Sequence, residues 1–343
     1  MTKLAVVLFN LGGPDSPEAI RPFLFNLFND PAIIGAPGLI RRALAWFISK
    51  QRAPVAAGIY AHLGGRSPLL ELTRRQADAL EKALGGEARV FIAMRYWHPM
   101  TEETVAEVAR WGADRVVLLP LYPQYSTTTT GSSISLWKRV AARAGLTAKT
   151  TEVCCYPTIE GMIGAQAELL RTALDRTGPD ARVLFSAHGL PKKVIERGDP
   201  YQSQVEMTAA AIAGAVGRPD LDWRVTYQSR VGPMEWIGPA TDREIERAGE
   251  EKKPLVIQPV AFVSEHSETL VELDIEYRHL AEVSGVPAYV RVPALGDHPA
   301  FIAALARLVE TALTAGCDIC SERTGRLCGS RWTACGQGPA GRA

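Results

Sequence analysis

The chain has 343 residues, 47% of them hydrophobic and 22% charged, with a formal net charge of +1. That length and polarity suit a folded chain of two domains or two similar halves, and the lack of any basic block argues against nucleic acid as a partner. No apolar run approaches the roughly 20 residues that cross a bilayer, and the first 18 residues lack the length and cleavage site of an export signal. The expected setting is therefore cytoplasmic, where the six cysteines are expected as thiols or metal ligands rather than disulfides.

In chain order, short apolar runs alternate with helical patterns. LAVVLFN leads into Leu11-Gly12-Gly13-Pro14. Residues 31–55 break the rhythm: Ile33, Ile34, Leu39, Ile40, Leu44, Trp46, Phe47 and Ile48 are interleaved with Arg41, Arg42, Lys50 and Arg52. That pattern fits a core helix with a cationic outer side, or a hydrophobic lip that takes up an apolar ligand or rests on a membrane. LLELTRRQADALEKALG then reads as an amphipathic helix with apolar positions at Leu70, Leu72, Ala77, Leu80 and Leu84. The remaining strand candidates are RVFIAMRY, RVVLLPLYP, TTEVCCYP, ARVLFSA, WRVTYQS, PLVIQPVAF and AYVRVPA. Such alternation predicts βαβ units, hence parallel sheets flanked by helices, in two similar Rossmann-like lobes. The lobes are expected over residues 1–150 and 151–316, with a cysteine-rich tail over 317–343.

Ligands of open parallel sheets bind beyond the carboxyl ends of the strands, and the unusual residues fall there. Arg95 and Tyr96 follow FIAM, and Tyr125 and Ser126 follow VVLLPLYP, which contains Tyr122. His188 follows ARVLFSA, Arg230 follows WRVTYQS, and His266 follows PLVIQPVAF, which ends on Phe262. A lone histidine at such a place is an ordinary structural residue, whereas two of them beside acids point to proton or metal chemistry. Glu268, Glu272 and Glu276 stand at i, i+4 and i+8, so a helix carries them on one face, next to apolar Leu270, Val271, Leu273 and Ile275. Either this is a solvated stripe or it handles cations. The aromatic residues and the arginines near these loops suit a flat, apolar, anionic ligand. GGPDSP lacks the spacing of a phosphate cradle.

LFSAHGLPKKVIERGDPY resembles the signature of the ferrochelatases, and the similarity continues through NLGGP, AMRYWHP, LYPQYSTTTTGSS, QSRVGPMEWIGP and AFVSEHSETLVELDIEY. It covers residues 3–310 in the family's order. The resemblance implies a chelatase-like fold with a porphyrin cleft between two lobes. The activity it implies is insertion of Fe²⁺ into protoporphyrin IX to give protoheme, the last step of heme biosynthesis. A coproporphyrin or other divalent-metal chelatase, or a non-catalytic porphyrin carrier, are its alternatives. By that resemblance His188 and Glu268 hold the substrate metal, Glu268 as the carboxylate opposing the histidine, and His266 joins them as a catalytic group. Glu272 and Glu276 form a path for metal or protons. Leu11, Arg52, Arg95, Tyr96, Tyr122, Tyr125, Ser126, Trp236 and Phe262 line the porphyrin, and residues 35–54 match the hydrophobic lip. That lip leaves three partners open: a membrane surface met peripherally, the preceding pathway enzyme, or the substrate alone.

Cys317, Cys320, Cys328 and Cys335 form a C-x2-C-x7-C-x6-C pattern, which favours a thiolate metal site; zinc and iron–sulfur both fit it. The resemblance favours a [2Fe-2S] cluster, as some ferrochelatases carry one at the C-terminus. Animal-type relatives take one ligand from the YPQYS loop, where this chain has Thr127. All four tail cysteines are therefore the expected ligands, with Cys154 or Cys155 as a substitute for one.

Overall fold

The structure is a computed structural model that describes residues 2–86, 88–230, 232, 234–323 and 325–338. Val231 and Pro233 of the loop after Arg230, and the last five residues of the tail, lie outside the described residues. The chain divides into two compact units, residues 2–155 with 305–327 and residues 156–304 with 328–338.

All eight expected strands form: β1 (Leu4–Asn10), β2 (Ala88–Met94), β3 (Arg115–Pro120), β4 (Lys149–Val153), β5 (Arg182–His188), β6 (Trp223–Gln228), β7 (Leu255–Pro259) and β8 (Tyr289–Arg291). The first unit holds a parallel sheet of order β2-β1-β3-β4-β9, and the second a parallel sheet of order β6-β5-β7-β8. Strand β9 (Ile319–Cys320) pairs with β4 through Glu152 and Val153; two residues within a cysteine-rich tail carry no strand periodicity. The central strands are apolar on both faces because helices cover both faces of a parallel sheet. Val6, Val7 and Leu8 of β1 and Val183, Leu184 and Phe185 of β5 are fully buried. Pro120 and Pro259 close β3 and β7, where a missing N–H interrupts little of the ladder.

Two helices differ from their sequence reading. Over Leu69–Leu84 the buried stripe is Leu69, Thr73, Gln76, Ala77 and Leu80 rather than the apolar positions alone. Thr73 is buried because its hydroxyl donates to the Leu69 carbonyl at 2.7 Å and accepts from Asn10 Nδ2 at 3.0 Å. That contact anchors the start of the Asn10–Pro14 loop. The helix Gly38–Ala61 runs through Pro54 and buries only Ala45, Ser49 and Tyr60. Leu39 is 88% exposed, and Trp46 and Phe47 are each more than half exposed. A core-helix reading of residues 31–55 therefore does not hold: the apolar side faces outward, and Arg21 and Lys50 stack on the Trp46 ring.

Candidate active site

In the second unit the carboxyl ends of β5, β6 and β7 carry the polar residues. Strand β5 ends on His188, and its parallel register with β6 sets His188 beside Gln228. The next residue, Ser229, has φ +60°, a left-handed conformation uncommon for a residue with a Cβ. This turn points the Ser229 amide at Glu272 Oε1 (2.8 Å) and its hydroxyl at Glu272 Oε2 (2.5 Å) and Glu268 Oε2 (3.2 Å). Gln228 Nε2 donates to Glu272 as well, at 3.0 Å. His188 Nδ1 lies 2.8 Å from Glu268 Oε2. The two expected metal-facing groups are thus in direct contact.

The acidic column rides on a π-helix, Glu268–Glu276, which continues as an α-helix over Tyr277–Val283. Its i→i+5 bonding, a pattern frequent at functional sites, still keeps residues four apart on one side, so Glu268 and Glu272 converge on Ser229. Glu276 is exposed at the far end. Thr269, Val271 and Leu273 form the buried side, while Ile275 is 41% exposed, so the helix is half-buried. Arg291, at the end of β8, fixes the loop before it. Its NH1 donates to both Glu265 oxygens at 2.8 and 3.0 Å, and its NH2 pairs with Asp274 at 2.7 Å. His266 is buried, with the Phe262 ring 4.4 Å away centroid to centroid.

Burial alone pushes the His188 pKa down, but the charge and hydrogen bond of Glu268, with help from Glu272, raise it above its ordinary value of 6.5. In return the imidazole, joined by His266 and the Ser229 hydroxyl, overcomes burial and holds Glu268 below its usual range. Glu272 goes the other way: burial and the neighbouring Glu268 charge raise it. Burial lowers His266, against the pull of Glu268 and Glu265. The site therefore sets side by side a carboxyl held low, a carboxyl pushed up, an imidazole pushed up and an imidazole pushed down. Such divergence among neighbours marks acid–base roles. Trp236 completes this side: Pro191 and Trp236 form a β-bridge, and Lys192 pairs with Glu235.

In the first unit Arg95 and Tyr96 meet on Asp30, a residue the sequence reading passed over. Asp30 Oδ2 accepts from Arg95 NH2 (2.7 Å), the Tyr96 hydroxyl (2.7 Å) and Ser132 Oγ (2.5 Å). Its other oxygen accepts the Ala32 amide at 2.9 Å. Tyr96 is 1% exposed, and burial with the Asp30 charge holds its hydroxyl pKa well above the ordinary value. Replacing Asp30 with alanine strands the Tyr96 and Ser132 hydroxyls, which are buried, and the part-buried Arg95 cation. We expect Asp30→Ala to destabilise the chain by about 3–5 kcal/mol, measured as a lowered urea midpoint; an unchanged midpoint contradicts the role of the network. Leu11 is half-buried against the cluster of Tyr60 and Tyr96. Tyr122 packs on the core under β1 and β3, Tyr125 lies beside Cys154 and Cys155, Ser126 is buried with its hydroxyl 2.9 Å from Thr128 Oγ1, and Arg52 is exposed on the lip helix.

Four of the six cysteines stand in two pairs. Cys317 and Cys320 stand at disulfide distance in the first unit, where Cys154 Sγ and Cys155 Sγ are 3.2 Å apart and Cys154 N donates to the Cys320 carbonyl. Cys328 accepts from Gln204 Nε2 at 3.0 Å in the second unit, and Cys335 is buried there. Among the described residues no three or more His, Cys, Asp or Glu side chains are grouped as around a single metal ion. The sequence predicts thiols or metal ligands rather than disulfides here, whereas the structure joins Cys317 to Cys320.

The ferrochelatase family model matches residues 3–313. The chain belongs to the ferrochelatase family. It is 57% identical over 340 residues to the ferrochelatase of Caulobacter vibrioides (strain NA1000 / CB15N), covering 97% of each chain. The ferrochelatase of Phenylobacterium zucineum is 56% identical over 319 residues, covering 91% of this chain and 92% of the relative. That of Rickettsia bellii is 44% identical over 340 residues, covering 97% and 94%. In fold, the chain resembles the sirohydrochlorin chelatase SirB from Bacillus subtilis subspecies spizizenii in complex with cobalt. There the TM-score is 0.54 at 12% identity, over 92% of this chain and 97% of that one. The chain is accordingly an iron chelatase of heme synthesis on a chelatase-like α/β fold.

Proposed function

We propose that the chain inserts Fe²⁺ into protoporphyrin IX with release of two protons, using His188, Glu268 and His266 as its catalytic groups. The observation that carries this reading is the run of contacts from His188 through Glu268 and Ser229 to Glu272. Metallation exchanges two pyrrole protons for one divalent cation, so the site needs a base, an anionic seat for the metal and an exit for protons. With Nδ1 committed to Glu268, His188 has Nε2 left to meet a macrocycle, and as neutral imidazole it accepts a pyrrole proton. The ionised Glu268 stabilises the resulting imidazolium and presents a hard oxygen to the iron before transfer. Glu272, poised by burial and by Glu268 to take a proton, receives it across the Ser229 hydroxyl, and exposed Glu276 passes it on. Burial keeps His266 neutral, so it adds no positive charge against the incoming cation. The mutual repulsion of the column is the cost of a path that attracts cations.

Arg52 and Arg95 supply cationic partners for propionates, while Leu11, Tyr122, Trp236 and Phe262 supply apolar walls for the ring. A rigid apolar wall favours a bent macrocycle, whose nitrogens are accessible, over a flat one. On this reading the domains are an N-terminal lobe of about 150 residues bearing the lip, a C-terminal lobe with the metal and proton site, and the cysteine tail. The outward-facing Leu39, Leu44, Trp46 and Phe47, flanked by Arg42 and Lys50, support a peripheral seat on a membrane surface for a cytoplasmic protein. No helix among the described residues is long and apolar enough to cross a membrane.

The four tail cysteines hold a [2Fe-2S] cluster, with Cys154 or Cys155 as the substitute for one ligand. Soft thiolates in a C-x2-C-x7-C-x6-C pattern support it. The cluster supplies structural cross-linking and sensitivity to iron supply, and no step of metallation passes through it. Anaerobically purified chain is expected to show a charge-transfer absorption and a reduced-state EPR signal, both lost in Cys317→Ser. Colourless protein with full activity refutes the cluster. Substrate preference is read from initial rates with protoporphyrin and coproporphyrin side by side. A faster protoporphyrin rate is expected; a strong bias to coproporphyrin overturns the choice of porphyrin.

A further inference from the structure

The signature segment continues past its histidine into Arg197-Gly198-Asp199-Pro200-Tyr201, a stretch that the proposed chemistry does not use. Tyr201 opens the helix Tyr201–Val216 and is 6% exposed. Its hydroxyl donates to the main-chain carbonyl of His188 at 3.0 Å. Its amide is held at 3.0 Å by Asp199 Oδ1, itself 1% exposed. His188 is thus gripped twice, at Nδ1 by Glu268 and at its carbonyl by Tyr201.

The other side of the same segment carries the cysteine tail. The Ala334 amide donates to the Gly198 carbonyl at 3.1 Å, and Gln204, one turn into the Tyr201 helix, donates to Cys328 Sγ at 3.0 Å. Gly198 has φ +93°, and a Cβ there would overlap Thr333 Oγ1 and stand 2.9 Å from the Thr333 amide nitrogen. Only glycine suits both the backbone conformation and the closeness of the tail. Residues 198–204 are therefore a short bridge with the cysteine tail on one end and the main chain of His188 on the other, all within the second unit.

We propose that Tyr201 is a positioning residue for His188, and that docking of the tail on Gly198 and Gln204 holds Tyr201 in place. This rests on the reading of His188 as the proton-accepting group. A change in the tail then alters how well the imidazole is aimed, without any tail residue touching substrate.

The test uses the full chain with Tyr201→Phe, Gly198→Ala and the double variant. Tyr201→Phe removes one hydrogen bond and is expected to lower kcat about tenfold while leaving the porphyrin KM within about twofold. Gly198→Ala is expected to lower kcat and to speed alkylation of Cys328 and Cys335 by iodoacetamide as the tail lifts. Because both act through one bridge, the double variant is expected to be no slower than the slower single variant. Gln204→Leu, which cuts the bridge from the helix side, repeats the test should Gly198→Ala not fold. Independently of turnover, the imidazole signal of His188 is followed by NMR among the six histidines, assigned by its absence in His188→Ala. It is expected to shift in both single variants. Wild-type kcat in Tyr201→Phe, losses that multiply in the double variant, or an unmoved His188 signal overturns the proposal. Failure of the wild type to metallate porphyrin instead removes the proposed function, and the NMR signal still decides the coupling.

Discussion

His188→Ala is expected to lose metallation while still binding porphyrin. The imidazole is held at Nδ1 by Glu268, and positioned acid–base groups contribute about 10²–10⁴-fold to rate. Deleting it also removes the positive partner of Glu268, so two carboxylates are left facing one another across Ser229. Their repulsion raises the pKa of both, and the metal seat loses charge at the moment the base is lost. The effect should fall on kcat, because the residues proposed to line the ring, Arg52 and Arg95 among them, are untouched. Fluorescence titration with free-base porphyrin measures the retained binding, and anaerobic Fe²⁺ turnover measures the loss. Turnover near the wild-type rate in this variant would remove His188 from the mechanism.

Glu268→Gln separates charge from shape. In the wild type, Glu268 and Glu272 together raise the His188 pKa above 6.5 in spite of burial. The neutral imidazole that accepts a proton is the form present above that raised value. The acidic limb of kcat/KM, which reports the free enzyme, should therefore rise with its midpoint above 6.5. With glutamine in place of Glu268, the charge that chiefly raises His188 is gone and burial dominates, so the midpoint moves to lower pH. The base is then neutral over a wider range, yet the plateau rate falls by about 10²-fold or more, since the imidazolium formed on proton transfer has lost its counter-charge and the iron its carboxylate. A profile whose midpoint stays fixed, or moves up, contradicts the assigned coupling. The same substitution should lower Glu272 towards its ordinary value, because the Glu268 charge joins burial in raising it.

The frame of this site was legible in the sequence because parallel strands are apolar on both faces and expose their polar residues where they stop. That rule located His188, Arg95, Phe262 and His266 before any fold was drawn. The contacts among them were not legible, for physical reasons that differ from residue to residue. Asp30 lies 65 positions from Arg95 and 102 from Ser132, and a single acid before a proline carries no local sign of such partners. Ser229 owes its role to a left-handed backbone at a strand end, which a serine does not advertise as glycine does. The acidic column keeps four-residue spacing in both α- and π-helices, so its pattern could not announce the i→i+5 bonding. For residues 31–55 the composition of a buried helix and that of an exposed lip are the same, and only the fold tells which side is covered. Strand β9 was hidden because its two residues borrow their pairing from β4 rather than from any pattern of their own.

The central claim is that the chain catalyses metallation rather than holding a porphyrin. The measurement that tests it most directly is anaerobic and uses the full chain at a small fraction of the porphyrin concentration. Free-base protoporphyrin fluorescence is followed after addition of Fe²⁺, with heme formation read in parallel by absorbance. Loss of fluorescence that continues through many equivalents per chain, matched by heme and abolished in His188→Ala, is the predicted result. Quenching that stops at one equivalent per chain, with no heme formed in fully metallated protein, would contradict it. The chain would then be a porphyrin carrier, and the column from Glu268 to Glu276 a solvated face.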